Sequence, residues 1–327
     1  NYILASISLM ALAACGKTQN ATAAADTAEP AAAVNAVFDA DSAYSYVSAQ
    51  TAFGPRVTNS QAHALCGAWL ADKLRGLGAE NVTVDSCTLT AYDGTRLNAR
   101  NISAQINPAA GKRILLLSHW DSRPWADHEK DTSMRRRAID GANDGASGVG
   151  VILELVRNLA AENSKVGVDV LFVDAEDYGR HADEVSLSSD EDSWALGSKY
   201  WSQNPTVDLS KVRYAVLLDM VGGKDAVFPR EYFSEYTAKH INDKVWKAAE
   251  KAGFADRFAD RIGMPVVDDH INLINVGVPA IDIIENDHPS TGSFNPTWHT
   301  LADNIDNIDK ETLRVVGQTL LDLIYSE

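Results

Sequence analysis

The chain has 327 residues, of which 45% are hydrophobic and 23% are charged, and these fractions exclude a wholly disordered, collagen-like or polytopic membrane protein. Its 29 Lys and Arg residues face 45 Asp and Glu residues, which gives a formal net charge of −16. Because nucleic-acid phosphates are bound by clustered basic side chains, this charge excludes nucleic acid as the main partner.

The first 35 residues differ in character from the rest. Ile3 to Ala14 is an apolar run that is too short to span a bilayer, and it is typical of the core of a secretory signal. It ends in L-A-A-C, which resembles the lipobox of bacterial lipoproteins, where the cysteine is acylated. We expect a signal over residues 1–15, with the sequence beginning inside it, a lipid anchor at Cys15 and a disordered tether over 16–35. The protein would then be exported and membrane-anchored in the bacterial cell envelope, in the periplasm or at the outer membrane.

The remaining chain alternates between helix and strand patterns. Helical spacing of apolar residues predicts helices over 40–53, 59–77, Val149–Leu159, Tyr232–Ala252 and Glu311–Tyr325. Alternation predicts strands over 82–91 and 97–106, and continuous apolar runs predict buried strands at Arg113–Ser118, Val168–Val173, Tyr214–Leu218 and Pro279–Ile284. We therefore predict one α/β domain over residues 36–327, a three-layer structure in which helices flank a mixed, mostly parallel β-sheet.

Two cysteines lie within this domain. Cys66 falls in a helix pattern and Cys87 in a strand pattern. An exported protein favours a disulfide between them. The alternative is a pair of buried free thiols.

Ionisable residues follow the buried strands. The strand at 113–118 leads into His119 and Asp121, and other acids or histidines stand at Asp144, Glu176, Asp177, Asp219, Asp268, Asp269, His270 and His299. Any one of them has an ordinary interpretation: Asp144 as a helix start, His299 as a loop histidine, Glu176 and Asp177 as a solvated pair. Sites in α/β sheets lie at the carboxyl ends of the strands, however, and a cluster of carboxylates and histidines there fits zinc best.

Six short motifs occur in order along the chain: H-W-D-S at 119–122, G-A-N-D-G-A-S-G at 141–148, D-A-E-D at 174–177, L-D-M at 218–220, D-D-H at 268–270 and W-H-T at 298–300. Together they resemble the zinc aminopeptidase fold family over roughly residues 40–327. The combination of D-D-H and W-H-T with S-H-W-D-S-R-P-W upstream resembles its glutaminyl cyclase branch, particularly the bacterial members.

The resemblance implies a role for each matching residue. One zinc ion would be held by Asp144, Asp177 and His299, although the family's second acid is commonly Glu. Glu176 would be the general acid and base. Asp219 and Asp268 would form a hydrogen-bond network beside it. Trp298, as a pocket wall, and His119 would contact the substrate.

The implied reaction converts the N-terminal glutamine of a peptide or protein into pyroglutamate and releases ammonia. Two departures from the family stand out. Asp282 occupies a strand position where the animal members have a histidine, and the segment Glu285 to Thr297 is longer than usual.

Two other functions remain open at this stage. A two-zinc aminopeptidase would use Asp144 as a bridging ligand and recruit His119 and Asp219 to a second metal. Asp268 beside Asp269, and Trp298 directly before His299, disfavour it. A catalytically silent binding module on the same fold is disfavoured by the complete acid and metal-ligand set.

Overall fold

The computed structural model describes residues 36–162, 164–184 and 193–327. The predicted signal, Cys15 and the tether lie outside these ranges, so they stay predictions. Palmitate labelling of the parent chain and of a Cys15→Ala variant would test the lipid anchor. Within the described ranges, none of the helices combines the length and the apolar character of a membrane span.

In the described part of the chain, six strands form one sheet in the order β1-β2-β4-β3-β5-β8. Their bounds are β1 Glu80–Thr90, β2 Arg96–Ile106, β3 Arg113–His119, β4 Gly167–Val173, β5 Val212–Leu218 and β8 Ala280–Ile283. The pairs β1–β2 and β2–β4 are antiparallel, whereas β4–β3, β3–β5 and β5–β8 are parallel. The predicted mixed, mostly parallel sheet is confirmed.

Helices cover both faces of this sheet. Their bounds are α1 Ala40–Thr51, α2 Gln61–Gly76, α3 Ala146–Ala161, α4 Leu196–Gln203, α5 Tyr232–Lys251, α6 Asp269–Asn275 and α7 Lys310–Ser326. Alternate residues of β3 show the layering, because Ile114 and Leu116 pack with α1, α2, α3, α5 and α7, while Leu115 and Leu117 pack with α4 and α6. Side chains of successive strand residues point to opposite faces, so the sheet has a core on each side and the three-layer prediction is confirmed.

Some elements were missed because they are short. The strands β6 Phe228–Arg230 and β7 Phe258–Ile262 form a separate two-stranded parallel sheet. The helices α4 and α6, of 8 and 7 residues, present too few turns for a periodic apolar pattern. The long predicted helix is present as α5, and it bends at Ala238, whose φ of −137° is not helical.

The predicted Cys66–Cys87 disulfide is wrong in this structure, where both residues are free thiols. The physical reason is their placement in different cores. Cys66 lies on α2 in the large core, whereas Cys87 of β1 packs with Leu89 and Tyr178 in a separate small cluster. Burial raises the pKa of Cys66 to about 12 and that of Cys87 to about 11, so both thiols remain protonated and unreactive at neutral pH.

Candidate active site

The turn after β4 carries two of the acids predicted for the site. Ala175 adopts a left-handed backbone conformation, with φ of 54°, so the chain reverses directly after the strand. The two carboxylate oxygens of Asp121 then accept hydrogen bonds from the backbone N–H groups of Glu176 and Asp177, each at 3.2 Å. Because β3 and β4 are neighbours in the sheet, Asp121 after one strand fixes the turn after the other.

The three residues predicted to hold a metal come together. Asp144, Asp177 and His299 are buried and their ligand atoms lie within 4.8 Å of one another. His299 Nε2 is 3.6 Å from Asp144 Oδ2 and 3.5 Å from Asp177 Oδ1. These separations are too long for hydrogen bonds and near the ~3.3 Å expected between two ligands of a tetrahedral zinc ion with bonds of about 2.0 Å.

Two further observations fit a cation at this point. Asp177 Oδ2 is buried without a hydrogen-bond partner, which is costly unless something else binds it. Burial, and after it the charge of Arg123, lowers the pKa of His299 to about 4, so the imidazole is neutral and can act as a ligand. The donor set of two carboxylates and one imidazole is one that zinc accepts.

Asp127 and Arg123 lie behind the possible metal ligands and support them. Asp127 Oδ1 is 3.2 Å from His299 Nδ1, the nitrogen that faces away from the other ligands. Arg123 forms a bidentate pair with Asp127 and donates to the backbone carbonyls of Asp177 and Gly179. A carboxylate behind a histidine ligand fixes the ring orientation, so this pair determines where His299 and the Asp177 turn lie.

Asp144 is placed by the glycine-rich turn that begins α3. The carboxylate of Asp303 accepts hydrogen bonds from the backbone N–H groups of Asn143 and Asp144, at 2.7 and 3.1 Å. Gly148 allows the helix to approach β5 closely, because a Cβ there would lie 2.2 Å from the carbonyl oxygen of Leu218. Any side chain at this position would push Asp144 away from the strand edge.

His119 and Asp219 form a second group of possible ligands with Asp144. His119 Nε2 lies 3.0 Å from Asp144 Oδ1 and 3.2 Å from Asp219 Oδ1, with which it makes a hydrogen bond. His119, for which we expected a substrate contact, is 1% exposed and is not among the residues that line the cavity, so that role stays a prediction. Its place beneath two carboxylates also suits positioning them.

Glu176 and Asp268 face the cavity from different elements. Burial raises the pKa of Glu176 well above its ordinary value, with His119 opposing and Asp177 and Asp268 adding to the shift. Burial, and then the charge of Asp219, raises the pKa of Asp268 to about 7. Asp219 bonds to His119, and Asp268 Oδ2 has no hydrogen-bond partner, so that oxygen is free to share a proton. Carboxyl groups with raised pKa values are suited to exchanging protons near neutral pH.

A cavity of about 310 Å³ lies over these groups. Its apolar walls include Trp298, Trp194 and Phe294. The Trp298 ring stacks on the imidazole of His299 at 3.8 Å between centroids, and the Trp298 and Phe294 rings are 4.6 Å apart. The site therefore combines an apolar slot with acids and possible metal ligands on its floor.

A family comparison assigns this architecture. Residues 101–324 match the model of peptidase family M28. The chain belongs to peptidase family M28.

Relatives of this M28 chain carry two kinds of description. A Bacteroides thetaiotaomicron glutaminyl cyclase, solved with N-acetylhistamine bound, is 50% identical, covers 89% of this chain and 99% of its own, and has a TM-score of 0.86. A protein of the same species described as a leucine aminopeptidase precursor is 49% identical over 89% of this chain and 98% of its own, with a TM-score of 0.85. The glutaminyl-peptide cyclotransferase of Boiga irregularis is 25% identical over 248 residues, which are 67% of this chain and 63% of that protein. The match thus spans less than two thirds of that curated relative.

Sequence reasoning missed several residues that shape the M28 site. Trp194 lines the cavity, with its ring 5.9 Å from that of His299 and the Arg123 guanidinium 4.5 Å from the Trp194 ring. Phe294 belongs to the long segment noted above, but nothing in the sequence shows that it points inward. Asp127 and Asp303 act through backbone and side-chain contacts across the fold, which no local pattern reveals.

Buried acids continue behind the M28 site. Asp282 on β8 is fully buried and neither of its carboxylate oxygens has a hydrogen-bond partner; the same is true of Asp269. Burial raises the pKa of Asp282 well above its ordinary value, and the charges of Asp268 and Asp219 raise it further. Burial and Asp268 raise the pKa of Asp269 to about 8. At neutral pH the folded protein therefore holds Asp269 and Asp282 protonated, whereas the same side chains would be ionised in the unfolded chain.

This arrangement predicts a pH-dependent effect of Asp282→Asn. An acid with a raised pKa contributes stability that is complete below its ordinary pKa and is lost as pH rises through the raised value. Asn cannot ionise, so it escapes that loss. We expect the variant to gain at least about 3 °C in Tm relative to the parent at pH 8, the shift that roughly 1 kcal/mol gives for a large domain, and to gain less at pH 5. Thermal unfolding of the parent and the variant under identical conditions measures this, with the exposed Asp256→Asn as control. An equal change at both pH values would contradict it.

Proposed function

We propose that this protein is a zinc-dependent glutaminyl-peptide cyclotransferase. The observation that supports this most is the position of Glu176, which faces a small aromatic slot directly beside the Asp144, Asp177 and His299 group. The likeness to bacterial glutaminyl cyclases at up to 50% identity supports the same function. The substrates would be peptides or proteins that begin with glutamine.

We propose one zinc ion per chain, held by Asp144, Asp177 and His299. Bound there, zinc would polarise the side-chain amide carbonyl of the substrate glutamine, which is otherwise a poor electrophile. Asp127 would keep His299 oriented, and the Asp121 carboxylate would keep Asp177 and Glu176 in the same turn.

Glu176 would carry the proton through the reaction. The α-amine of the substrate must be neutral to attack the side-chain amide carbon, so Glu176 accepts a proton from that amine as the new C–N bond forms. It then delivers the proton to the amide nitrogen, the old C–N bond breaks and ammonia leaves. The raised pKa of Glu176 is suited to this exchange, and Asp268 and Asp219 would hold further protons beside it.

The aromatic walls would supply the orientation. Nucleophile and electrophile belong to one residue, so the glutamine side chain has to fold back on its own amine. Trp298, Trp194 and Phe294 enclose a slot of about 310 Å³ that suits such a folded residue. Holding the reacting atoms in this geometry contributes to the rate because the reaction is intramolecular.

A two-zinc aminopeptidase is the second candidate. It is favoured by the grouping of His119, Asp144 and Asp219 and by the relative described as a leucine aminopeptidase precursor. Such an enzyme would place a metal-activated water on the first peptide bond instead of using the substrate's own amine.

Mass analysis of peptide products distinguishes the two candidates. The zinc-loaded protein is incubated with a Gln-Ala-initiated peptide and with a matched Leu-Ala-initiated peptide. The cyclase proposal expects the first peptide to lose one ammonia and the second to remain intact. N-acetylhistamine, which binds one relative, is expected to slow the first reaction. Release of free leucine faster than formation of pyroglutamate would contradict the cyclase proposal and support the aminopeptidase.

We also propose that the protein acts at the bacterial cell envelope through the lipid anchor at Cys15. The support is the apolar run and the L-A-A-C motif alone.

A further inference from the structure

An exposed apolar surface lies beside the cavity. We call it the apolar rim, and it consists of Tyr232, Tyr236, Ile262, Met264, Pro265 and Val267. Tyr236 is 69% exposed, and Met264 and Ile262 are each 52% exposed. Single exposed apolar side chains are ordinary on a protein surface, whereas several adjacent ones mark a binding surface.

The apolar rim is continuous with the cavity wall. Pro265, Val266 and Val267 line the cavity, and Met264 and Ile262 precede them in the same stretch of chain. The N–H group of Tyr232 lies 3.5 Å from the Met264 carbonyl oxygen and donates to it, which places α5 against this stretch. The rings of Tyr232 and Tyr236 are 4.5 Å apart, so the apolar surface extends outward along the helix.

The backbone of the apolar rim is firmly held. Gly263 N donates to the Arg230 carbonyl at 2.7 Å, and Val266 N donates to Glu231 Oε1 at 3.0 Å. Asn286 Nδ2 donates to the Met264 carbonyl at 2.6 Å. A surface that is already ordered loses little conformational entropy when a ligand binds, so binding to the apolar rim would carry a small entropic cost.

The shape of the site indicates what binds to the apolar rim. The cavity is large enough for one folded glutamine, so the rest of a peptide substrate has to leave through its mouth. Pro265 and Val267 of the apolar rim also line the cavity, so a chain that leaves the cavity on that side passes over the rim. An extended chain advances about 3.3 Å per residue, so the second and third residues would reach the rim.

We propose that the apolar rim binds the second and third residues of the substrate peptide and selects apolar or aromatic side chains there. This inference rests on the proposed function, since it takes the N-terminal residue to lie in the cavity. The rim would lower KM for such peptides without taking part in the chemistry at Glu176.

A matched peptide series tests the proposal on the zinc-loaded protein. Gln-Phe-Leu-Gly amide and Gln-Gly-Gly-Gly amide present the same first residue with different continuations. We expect kcat/KM to be about tenfold higher for the apolar peptide, the preference that partial burial of one or two apolar side chains gives. In the double variant Tyr236→Ser, Met264→Ser this ratio should fall to about one. The control is Leu65→Ser on α2, because Leu65 is 52% exposed, as Met264 is. This variant should keep the wild-type ratio of kcat/KM between the two peptides.

Binding separates this proposal from the proposed function. The Glu176→Gln protein is titrated with both peptides, with and without the rim substitutions, so no turnover is needed. Tighter binding of the apolar peptide that the rim substitutions abolish supports the rim, even if no peptide is cyclised and the proposed function fails. The proposal would be overturned if the wild-type protein showed nearly the same kcat/KM for both peptides. It would also be overturned if the preference for the apolar peptide survived the double substitution. A shift from dimer to monomer in light scattering, with the ratio unchanged, would make the rim an interface between two copies instead.

Discussion

Glu176→Gln should leave a folded, zinc-binding protein whose kcat for Gln-initiated peptides is lower by about 10³-fold, within the range that general acid–base groups contribute. Gln nearly matches Glu in shape, and the backbone N–H of residue 176 still donates to Asp121. The amide cannot accept the proton of the attacking amine, so only the chemical step is lost. Steady-state kinetics together with metal analysis and thermal unfolding measure the three properties.

The matched control is Glu250→Gln, which makes the same chemical change at an exposed position of α5. It should leave kcat unaltered. If Glu176→Gln kept most of its kcat, Glu176 would not be the proton carrier, and Asp268 would be the next group to test because it faces the same cavity with a pKa raised to about 7.

His299→Ala should remove the metal and the activity together. The imidazole contributes one of the three grouped ligand atoms, and a methyl group in its place cannot bind a cation. After dialysis, we expect the parent protein to retain close to one equivalent of zinc and the variant to retain almost none. Added zinc should raise the Tm of the parent but not of the variant. The exposed His240→Ala on α5 is the control and should behave as the parent.

Asp127→Asn should weaken metal binding without abolishing it, in contrast to His299→Ala. Asp127 lies behind His299 without being one of the grouped Asp144, Asp177 and His299 ligands, and loss of such a supporting carboxylate typically costs 10- to 100-fold in metal affinity. A parent protein that holds two zinc equivalents, both required for activity, would contradict the single-zinc proposal and direct attention to His119 and Asp219.

The sequence predicted those parts of the fold that a local pattern specifies. Apolar runs such as Leu115 to Leu117 are buried on both faces, and the acids that follow such runs share an edge because parallel strands end there. Asp144, Asp177 and His299 were grouped through three separate motifs, the last of which lies more than 100 residues along the chain from the other two. The close approach of α3 to β5 at Gly148 is the structural reason that the G-A-N-D-G-A-S-G motif ends in glycine.

What the sequence did not reveal depends on contacts across the fold. His119 contacts Asp144 and Asp219, which lie in the turn before α3 and directly after β5, so its burial could not be read from H-W-D-S. Trp194 lines the cavity where Arg123 and His299, which come from other loops, lie against its ring. The disulfide expectation failed for the same reason, since nothing local shows that β1 and α2 present their cysteines to separate cores.

The junction of Trp298 and His299 limits how the pocket can be redesigned. Their rings stack at 3.8 Å, and the backbone of His299 has a left-handed φ of 53°, a conformation that few non-glycine residues adopt. Rotating this stretch to widen the slot for a bulkier first residue would carry the imidazole away from Asp144 and Asp177. Libraries that aim to change substrate choice should therefore keep residues 298–300 constant and vary Val266, which lines the slot from another segment of the chain.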